Sequence, residues 1–278
     1  MKKLLYLLMI LAVASCNKDN NDPSPNPQVL EKQQAPFGKT SADVFLRKVY
    51  YDGHLSREYF YDGNVLTGQK GYVFFKEPVL YLTGNVRRSN GMVDSVSALS
   101  AWVSGEAQTV SKDFKPFYSM IFDKPETDSV RVISRKNHIS PETYYSKYTF
   151  DSKGFIVRED LSKQYSTMYR FVYYYIRNDE NNVSKSWYTS PTETIVPHTI
   201  TYQYDNHPNP FFSLGMDRSD YISSASLSPN NMVSETITSE GSAPRTITYK
   251  YEYMPNGFPG KVTITNEFSE PYTLTFEY

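Results

Sequence analysis

Short runs in which apolar and polar residues alternate recur along the chain, and they predict strands rather than helices. In residues 246–253, one face carries an isoleucine and three tyrosines, and the other carries two threonines, a lysine and a glutamate. The same period of two is found in residues 198–204, 261–267 and 272–278. A strict period of two with one polar face is typical of an antiparallel sheet that is wetted on one side.

Helical spacing is almost absent from the sequence. The best helix candidate is a turn or two after Asn209, with Asn209 as the N-cap and Pro210 at the first helical position. We therefore expect very little helix.

A degenerate repeat connects the alternating runs. Each unit reads aromatic, Asp, a turn with Gly or Asn, and then a second strand that opens on an apolar residue. Asp and Asn bond their own backbone in such turns, and Gly or Asn accepts a positive φ, so each unit predicts a hairpin. The full units are 51–55 (YDGHL), 61–65 (YDGNV) and 150–156 (FDSKGFI), and partial units are 181–184 (NNVS), 230–234 (NNMVS) and 255–258 (PNGF).

The predicted fold class is therefore all-β, an antiparallel meander of hairpins forming one extended, curved or partly closed sheet. The composition agrees, since the chain has 25 Tyr and aromatic residues favour strands. No second linker rich in Pro, Gly or Ser follows residue 38. We expect residues 38–278 to form a single β-rich domain, with a subdivision near 135–140 as the alternative.

The N-terminus has the features of a lipoprotein signal peptide. Lys2 and Lys3 precede an apolar run at residues 4–14, which is well short of the roughly 20 residues that span a bilayer. Residues 11–16 (LAVASC) resemble the bacterial lipobox, which implies removal of residues 1–15 and lipidation of Cys16. Cys16 is the only cysteine, so it cannot form an internal disulfide. The alternative is an ordinary secretory signal followed by a chance cysteine.

Residues 16–37 are polar and rich in Pro and Asn, and they predict a lipidated, disordered tether. Lys18, Asp19 and Asp22 resemble the surface-export signal of Bacteroidota lipoproteins. The resemblance implies a protein anchored in the outer membrane and facing the cell exterior. A plain spacer facing the periplasm is the alternative.

The charge of the chain argues against nucleic acid as a partner. The full sequence has 29 basic and 30 acidic residues, and cleavage would leave 27 against 30, a net charge of −3. Nucleic-acid binding needs a basic face, and a mildly acidic chain does not indicate one. The expected membrane contact is through the lipid on Cys16, because no polybasic segment supports binding to anionic lipid.

Two resemblances point to a family. Residues 150–156 are similar to the YD repeat of Rhs-type shells. Residues 204–211 (YDNHPNPF), followed by 228–233 (SPNNMV), resemble a family of uncharacterised Bacteroidota surface lipoproteins with a porin-like or YD-like β-sheet domain. The resemblance covers roughly residues 140–278 and is weaker over 40–135. It implies no activity and no catalytic residues.

The residues offer no catalytic constellation and no cofactor site. The four histidines do not pair at a metal-ligand spacing, and neither a nucleophile elbow nor a Gly-rich phosphate loop occurs. Acidic clusters at 123–128 and 179–180 contain the carboxylates that a calcium site or a glycosidase needs. Solvated turn residues are the ordinary interpretation of such clusters.

A few residues are candidates for modification or binding. Ser95 and Ser129 lie in Asp-Ser-Val triplets that resemble the O-glycosylation motif of Bacteroidota. The candidate ligand-stacking aromatics are Trp102, Tyr173, Tyr175 and Trp187, because such rings combine a stacking surface with a polar tip. The alternative for each is a cross-strand aromatic contact that stiffens the sheet.

The sequence thus favours a non-enzymatic, surface-exposed lipoprotein that acts as a binding or scaffold module for a glycan or protein ligand. One alternative is a hydrolase acting on glycan, and another is a periplasm-facing envelope or lipid-binding lipoprotein. The oligomeric state is not indicated by the sequence.

Overall fold

The computed structural model describes residues 44–63, 65–89, 92–101, 103–104, 108–122, 130–137, 143–163, 166–190, 198–212 and 226–278. Strands dominate this part of the chain, and it contains no α-helix. The strands in the first half are β1 (Lys48–Tyr51), β2 (His54–Asp62), β3 (Val65–Phe74), β4 (Pro78–Ser89), β5 (Met92–Ser100), β6 (Val103–Ser104), β7 (Thr109–Val110), β8 (Lys115–Phe122) and β9 (Val130–Asn137). Those in the second half are β10 (Thr143–Phe150), β11 (Ile156–Lys163), β12 (Ser166–Arg177), β13 (Val183–Thr189), β14 (Thr199–Pro208), β15 (Asn230–Thr238), β16 (Arg245–Tyr253), β17 (Pro259–Asn266) and β18 (Ser269–Glu277).

The strands pair antiparallel with their neighbours in the chain, which confirms the predicted meander. Only β6 and β7 stand apart, as a separate two-stranded ribbon, and β5 pairs directly with β8. β9 and β10, which flank the alternative subdivision near 135–140, pair with each other along their length.

The first and last strands of the sheet are also hydrogen-bonded to each other. β1 pairs with β2 on one side and with β18 on the other, so the order of strands returns to its start and closes as a barrel. Side chains reinforce this junction: Lys48 Nζ lies 2.8 Å from Glu277 Oε2, and Asp52 Oδ1 accepts the Thr273 N–H at 2.7 Å. The sequence had left the degree of closure open.

Three of the predicted repeat turns share one hydrogen-bond pattern. In each turn, the N–H of residue i donates to the carbonyl of residue i+4. The N–H of residue i+3 donates to the carbonyl of residue i. This pattern holds at 151–155, 178–182 and 254–258, with positive φ at Gly154, Asn181 and Gly257. The predicted role of Asp is confirmed at Asp151, whose Oδ1 accepts the N–H groups of Lys153 and Phe155.

The segment after Asn209 forms a turn in the described residues. Asn209 Oδ1 accepts the Phe211 N–H at 3.0 Å, as the predicted cap requires, and Phe212 is buried. The remainder of the predicted helix, from residue 213, lies outside the described residues.

The two faces of the closed sheet differ sharply along β13–β18. The inner face carries buried apolar and aromatic side chains such as Tyr202, Val262 and Phe276. They belong to two clusters, one of which spans the junction of β1 with β18 and the other of which extends from β3 to β15. The outer face carries exposed Thr, Lys and Glu side chains, including Thr201, Thr246, Thr248, Thr265 and Glu277.

Candidate functional site

Several residues singled out in the sequence lie outside the described residues. They are Cys16, Trp102 and Ser129, together with the acidic cluster at 123–128. Their roles stay predictions. Likewise, the signal peptide and the tether fall in residues 1–43, which the structure does not describe.

Ser95 lies on β5, where it pairs in register with Arg87 on one side and with Ile121 on the other. Only 4% of the residue is exposed. A sugar must reach the hydroxyl to be attached, so this burial argues against glycosylation of Ser95 in the folded sheet.

Tyr173 and Tyr175 both point to the inner face. Tyr175 is 7% exposed, and its hydroxyl has no hydrogen-bond partner. Tyr173 packs against the same core and contacts the rings of Phe171 and Tyr188. Both rings therefore pack on the inner side of the sheet, as the alternative interpretation proposed, and their stacking on a ligand stays a prediction.

Trp187 points to the outer face. Strand register places it directly opposite Tyr174, and the two rings stack with centroids 5.0 Å apart and an interplanar angle of 13°. Tyr174 was missed in the sequence, although alternation along 173–175 puts its ring on the face opposite its neighbours. The missing information was which of the two faces turns outward.

Two cations extend this pair into a row. Arg158 pairs with Tyr174 across β11 and β12, and its guanidinium carbon lies 5.6 Å from the ring centroid. Lys185 Nζ lies 5.7 Å from the Trp187 ring. Each contact is a cation–π interaction, which favours a fixed arrangement of these side chains. Arg158, Tyr174, Trp187 and Lys185 are called the outer row below.

A carboxylate holds the guanidinium at one end of the outer row. Arg158 Nε and Nη2 donate to the two carboxylate oxygens of Asp160, each at 2.9 Å. This bidentate geometry fixes the plane of the guanidinium. The hydrogen bonds from Arg158 to Asp160 raise the pKa of the guanidinium.

A shallow cleft of roughly 410 Å³ adjoins the Arg158 end of the outer row. Its size falls in the range of about 300–1,000 Å³ that is usual for small-molecule sites. The side chains that line the cleft carry hydroxyl, ammonium, guanidinium and carboxylate groups, while their apolar parts form most of its accessible surface. It is lined by Tyr145, Lys147, Arg158, Asp160 and Ser162.

The cleft does not contain the carboxylate pair that a glycosidase needs. Among its described lining residues, only Asp160 carries a carboxylate. The adjacent Glu159 is 2% exposed and accepts a hydrogen bond from the Tyr148 hydroxyl at 2.9 Å, on the inner face. Glu159 and Asp160 are adjacent in the sequence, but their carboxylates therefore lie on opposite faces of the sheet.

Glu235 is a further carboxylate that lies inside. Burial raises its pKa, although the hydrogen bond from the Tyr249 hydroxyl, at 2.7 Å, acts in the other direction. At the turn between β12 and β13, Asp179 and Glu180 are exposed, and Glu180 accepts a hydrogen bond from the Asn178 side chain. This geometry fits the interpretation of 179–180 as solvated turn residues.

The described histidines are engaged in local contacts. His54 stacks on Phe74, His207 stacks on Tyr253, and His198 bonds to Ser239. Within the described ranges, no three His, Cys, Asp or Glu side chains are grouped so that they could hold a metal ion. In the same part of the chain, no helix has the length and apolar character needed to cross a membrane.

Comparison with known proteins finds similarity only among solved structures. No family model and no curated protein matches the chain. A porin-like protein from Bacteroides vulgatus ATCC 8482 aligns over 84% of this chain and 99% of its own, with 8% identity and a TM-score of 0.41. A porin-like protein from Bacteroides uniformis ATCC 8492 aligns over 84% and 97%, with 12% identity and a TM-score of 0.37. The family resemblance, lipidation and the YD repeat stay predictions.

Proposed function

We propose that the protein is a lipid-anchored, non-enzymatic glycan-binding module of the outer membrane, and that the outer row is its binding surface. The observation that carries the proposal is the stacked Tyr174–Trp187 pair on the outer face, with Arg158 and Lys185 lying over its two rings. The pair is half-buried and lies on the face away from the core, so its rings add little to core packing and offer a surface to a ligand.

The surroundings of Trp187 suit a sugar. On the side away from Tyr174, the register places Thr199 opposite Trp187 and Thr201 opposite Lys185. Threonine is small, so this side of the ring is less covered than the side that faces Tyr174. The threonine hydroxyls nearby can donate hydrogen bonds to the hydroxyls of a sugar or accept them, and the Lys185 ammonium can donate to these hydroxyls.

The polar outer face is also compatible with the proposed tether. Threonine, lysine and glutamate side chains favour water over lipid tails. We infer that the lipid on Cys16 holds the protein at the membrane while the sheet stays in water on the outside of the cell. Replacing Cys16 with Ala should release the protein from the membrane fraction, and protease shaving of intact cells should degrade the wild-type protein if it faces outward.

The experiment that tests binding compares two outward aromatic residues. The full-length chain, solubilised in detergent, is applied to a glycan array as wild type, as Trp187→Ala and as Tyr50→Ala. Tyr50 is the matched control because it lies on β1, away from the outer row, where it donates to Glu277. We expect Trp187→Ala to lose binding at least tenfold and Tyr50→Ala to retain it.

Two results would contradict the proposal. An array that stays blank, together with a protein recovered by cross-linking on intact cells, would replace glycan binding with protein binding. Turnover of a polysaccharide by the wild-type chain would favour the hydrolase alternative, which the single carboxylate of the cleft does not support.

A further inference from the structure

The outer row and its cleft carry more positive than negative charge. Lys147, Arg158 and Lys185 face the outer side with a single described carboxylate, Asp160, between them. These four side chains leave a formal excess of two positive charges. The whole chain has a net charge of −1, so this patch differs in sign from the rest of the protein.

Asp160 is the only carboxylate of this group and it is already engaged. It accepts both hydrogen bonds from Arg158, and the register places Lys147 directly opposite it on β10. Its charge is therefore offset from two sides. The excess positive charge extends from the cleft to Lys185 at the other end of the outer row.

The ring faces leave limited room for stacking. Tyr174 lies between Arg158 and Trp187 in the register, so both sides of its ring are covered. Trp187 has its Tyr174 side covered, and Lys185 lies over its ring. The Lys185 ammonium lies 5.7 Å from the Trp187 ring centroid, so a sugar that contacts Trp187 and carries a negative charge can also pair with this ammonium.

The spacing of the cations favours a chain of sugars over a single one. In the register, Lys147 and Lys185 lie three strands apart and about four residues apart along the strand direction. With strand spacings of about 4.8 Å and rises of about 3.4 Å per residue, their Cα atoms are on the order of 20 Å apart. One monosaccharide cannot reach both ends of this diagonal.

Resting on the proposed function, we propose that the ligand is an acidic polysaccharide, whose carboxylate or sulfate groups bind along the diagonal from Lys147 to Lys185 while one sugar contacts Trp187. Charge pairing at an exposed site is weak for one contact. Several contacts along one polymer add through effective concentration, so the length of the ligand becomes part of the recognition.

The experiment uses two pairs of probes, each with the same sugar backbone in a charged and a neutral form. Polygalacturonate is compared with its fully methyl-esterified form, and dextran sulfate is compared with dextran. Binding of each to the full-length chain in detergent is measured as a retardation in affinity gel electrophoresis. The chain is tested as wild type, as the double variant Lys147→Gln with Lys185→Gln, and as Lys250→Gln. Lys250 is the matched control because it is an exposed lysine on β16, opposite Thr263 and away from the outer row.

We expect the charged member of at least one pair to bind and its neutral partner not to bind. The double variant should weaken that binding about tenfold, and Lys250→Gln should leave it unchanged. Binding should fall as salt is raised, because exposed charges are screened. Far-ultraviolet circular dichroism should give the same spectrum for all three proteins.

Three results would overturn the inference. Equal binding of charged and neutral probes that is lost in Trp187→Ala would exclude recognition of charge while leaving glycan binding intact. Equal weakening by Lys250→Gln would show attraction by overall charge only. If none of the four probes binds while neutral glycans bind on the array, an acidic ligand is also excluded. A blank array would instead contradict the proposed function itself.

Discussion

Three consecutive tyrosines on β12 take opposite roles. Tyr173 and Tyr175 point inward and belong to the core, whereas Tyr174 points outward and stacks on Trp187. Nothing in the residue type separates them. The difference shows that a ring in this sheet acquires its role from the face that it occupies, and that the face follows from the register with β11 and β13.

Polar groups on the two faces also make different contacts. Inside, hydroxyls of tyrosine donate to buried acceptors, as Tyr204 does to the Val183 carbonyl and Tyr249 to Glu235. Outside, the charged groups of Arg158 and Lys185 lie over aromatic rings and remain in contact with solvent. Inner polar groups thus affect stability, and outer ones are available for binding.

The largest expected effect comes from ionising the inner tyrosines. Burial raises the pKa of each of these phenols above the usual value near 10. A group whose pKa is raised in the folded state contributes stability that is complete below its unfolded pKa and is lost as pH rises above it. We expect the free energy of unfolding to fall by on the order of 7 kcal/mol between pH 9 and pH 11, at about 1.4 kcal/mol for each of five phenols. The phenols concerned are Tyr61, Tyr204, Tyr249, Tyr251 and Tyr278.

Urea unfolding at a series of pH values measures this loss. The variant Tyr249→Phe is the internal control. It should reduce the loss of unfolding free energy by about 1.4 kcal/mol, the contribution of one phenol. A free energy of unfolding that stays constant from pH 9 to pH 11 would contradict the assignment of these rings to the inner face.

The next effect comes from deleting neighbouring rings on opposite faces. Tyr175→Ala should lower the free energy of unfolding by about 3–5 kcal/mol, because it leaves a cavity in the core. Tyr174→Ala should cost about 1 kcal/mol or less, because the ring lies at the solvent face. Urea midpoints of the two variants give the comparison, and equal losses would show that the two faces are not different.

A smaller effect separates two hydroxyls on the inner face. The Tyr204 hydroxyl donates to the Val183 carbonyl at 2.8 Å and accepts from Ser228 Oγ at 2.9 Å, whereas the Tyr175 hydroxyl is buried without a partner. Tyr204→Phe should therefore cost about 1–2 kcal/mol, and Tyr175→Phe should be neutral or stabilising. Thermal unfolding of both variants tests this, and a greater loss in Tyr175→Phe would refute the contrast.

The smallest effect is expected for the ion pair of the outer row. Arg158 and Asp160 have side chains that are 42% and 19% exposed, so solvent screens their interaction. A double-mutant cycle with Arg158→Ala and Asp160→Ala should give a coupling of about 0.5–1 kcal/mol that decreases with salt. A coupling of several kcal/mol would mean that the outer row is structural rather than available to a ligand.

Much of the fold could be predicted from the sequence because its signals are local. Alternation in 246–253 and 272–278 predicts strands with one polar face, since side chains point to opposite sides of a strand at every step. The turn at 151–155 could be predicted from Asp151 and Gly154, since a carboxylate that accepts nearby N–H groups and a residue with positive φ act within five residues. Such features depend on the chain near them and on little else.

The candidate site could be predicted only in part. Trp187 was proposed as a ligand-stacking residue, but its partner Tyr174 and the cations Arg158 and Lys185 come from three separate strands. A shift of one residue in the pairing of β12 with β13 would put Tyr173 or Tyr175 beside Trp187 instead. Register is set by the turns and by the burial of the whole face, so no single strand reveals it.

By itself, the sequence determined the strand content, the hairpin turns and the two-faced character of the strands, because each follows from chemistry within a few residues. Only the tertiary structure decided that β1 pairs with β18, that Ser95 is buried and that Tyr174 rather than Tyr173 or Tyr175 faces outward. These features join residues that are distant in the chain. Their geometry depends on closing the sheet, which fixes at once which face of every strand is inside.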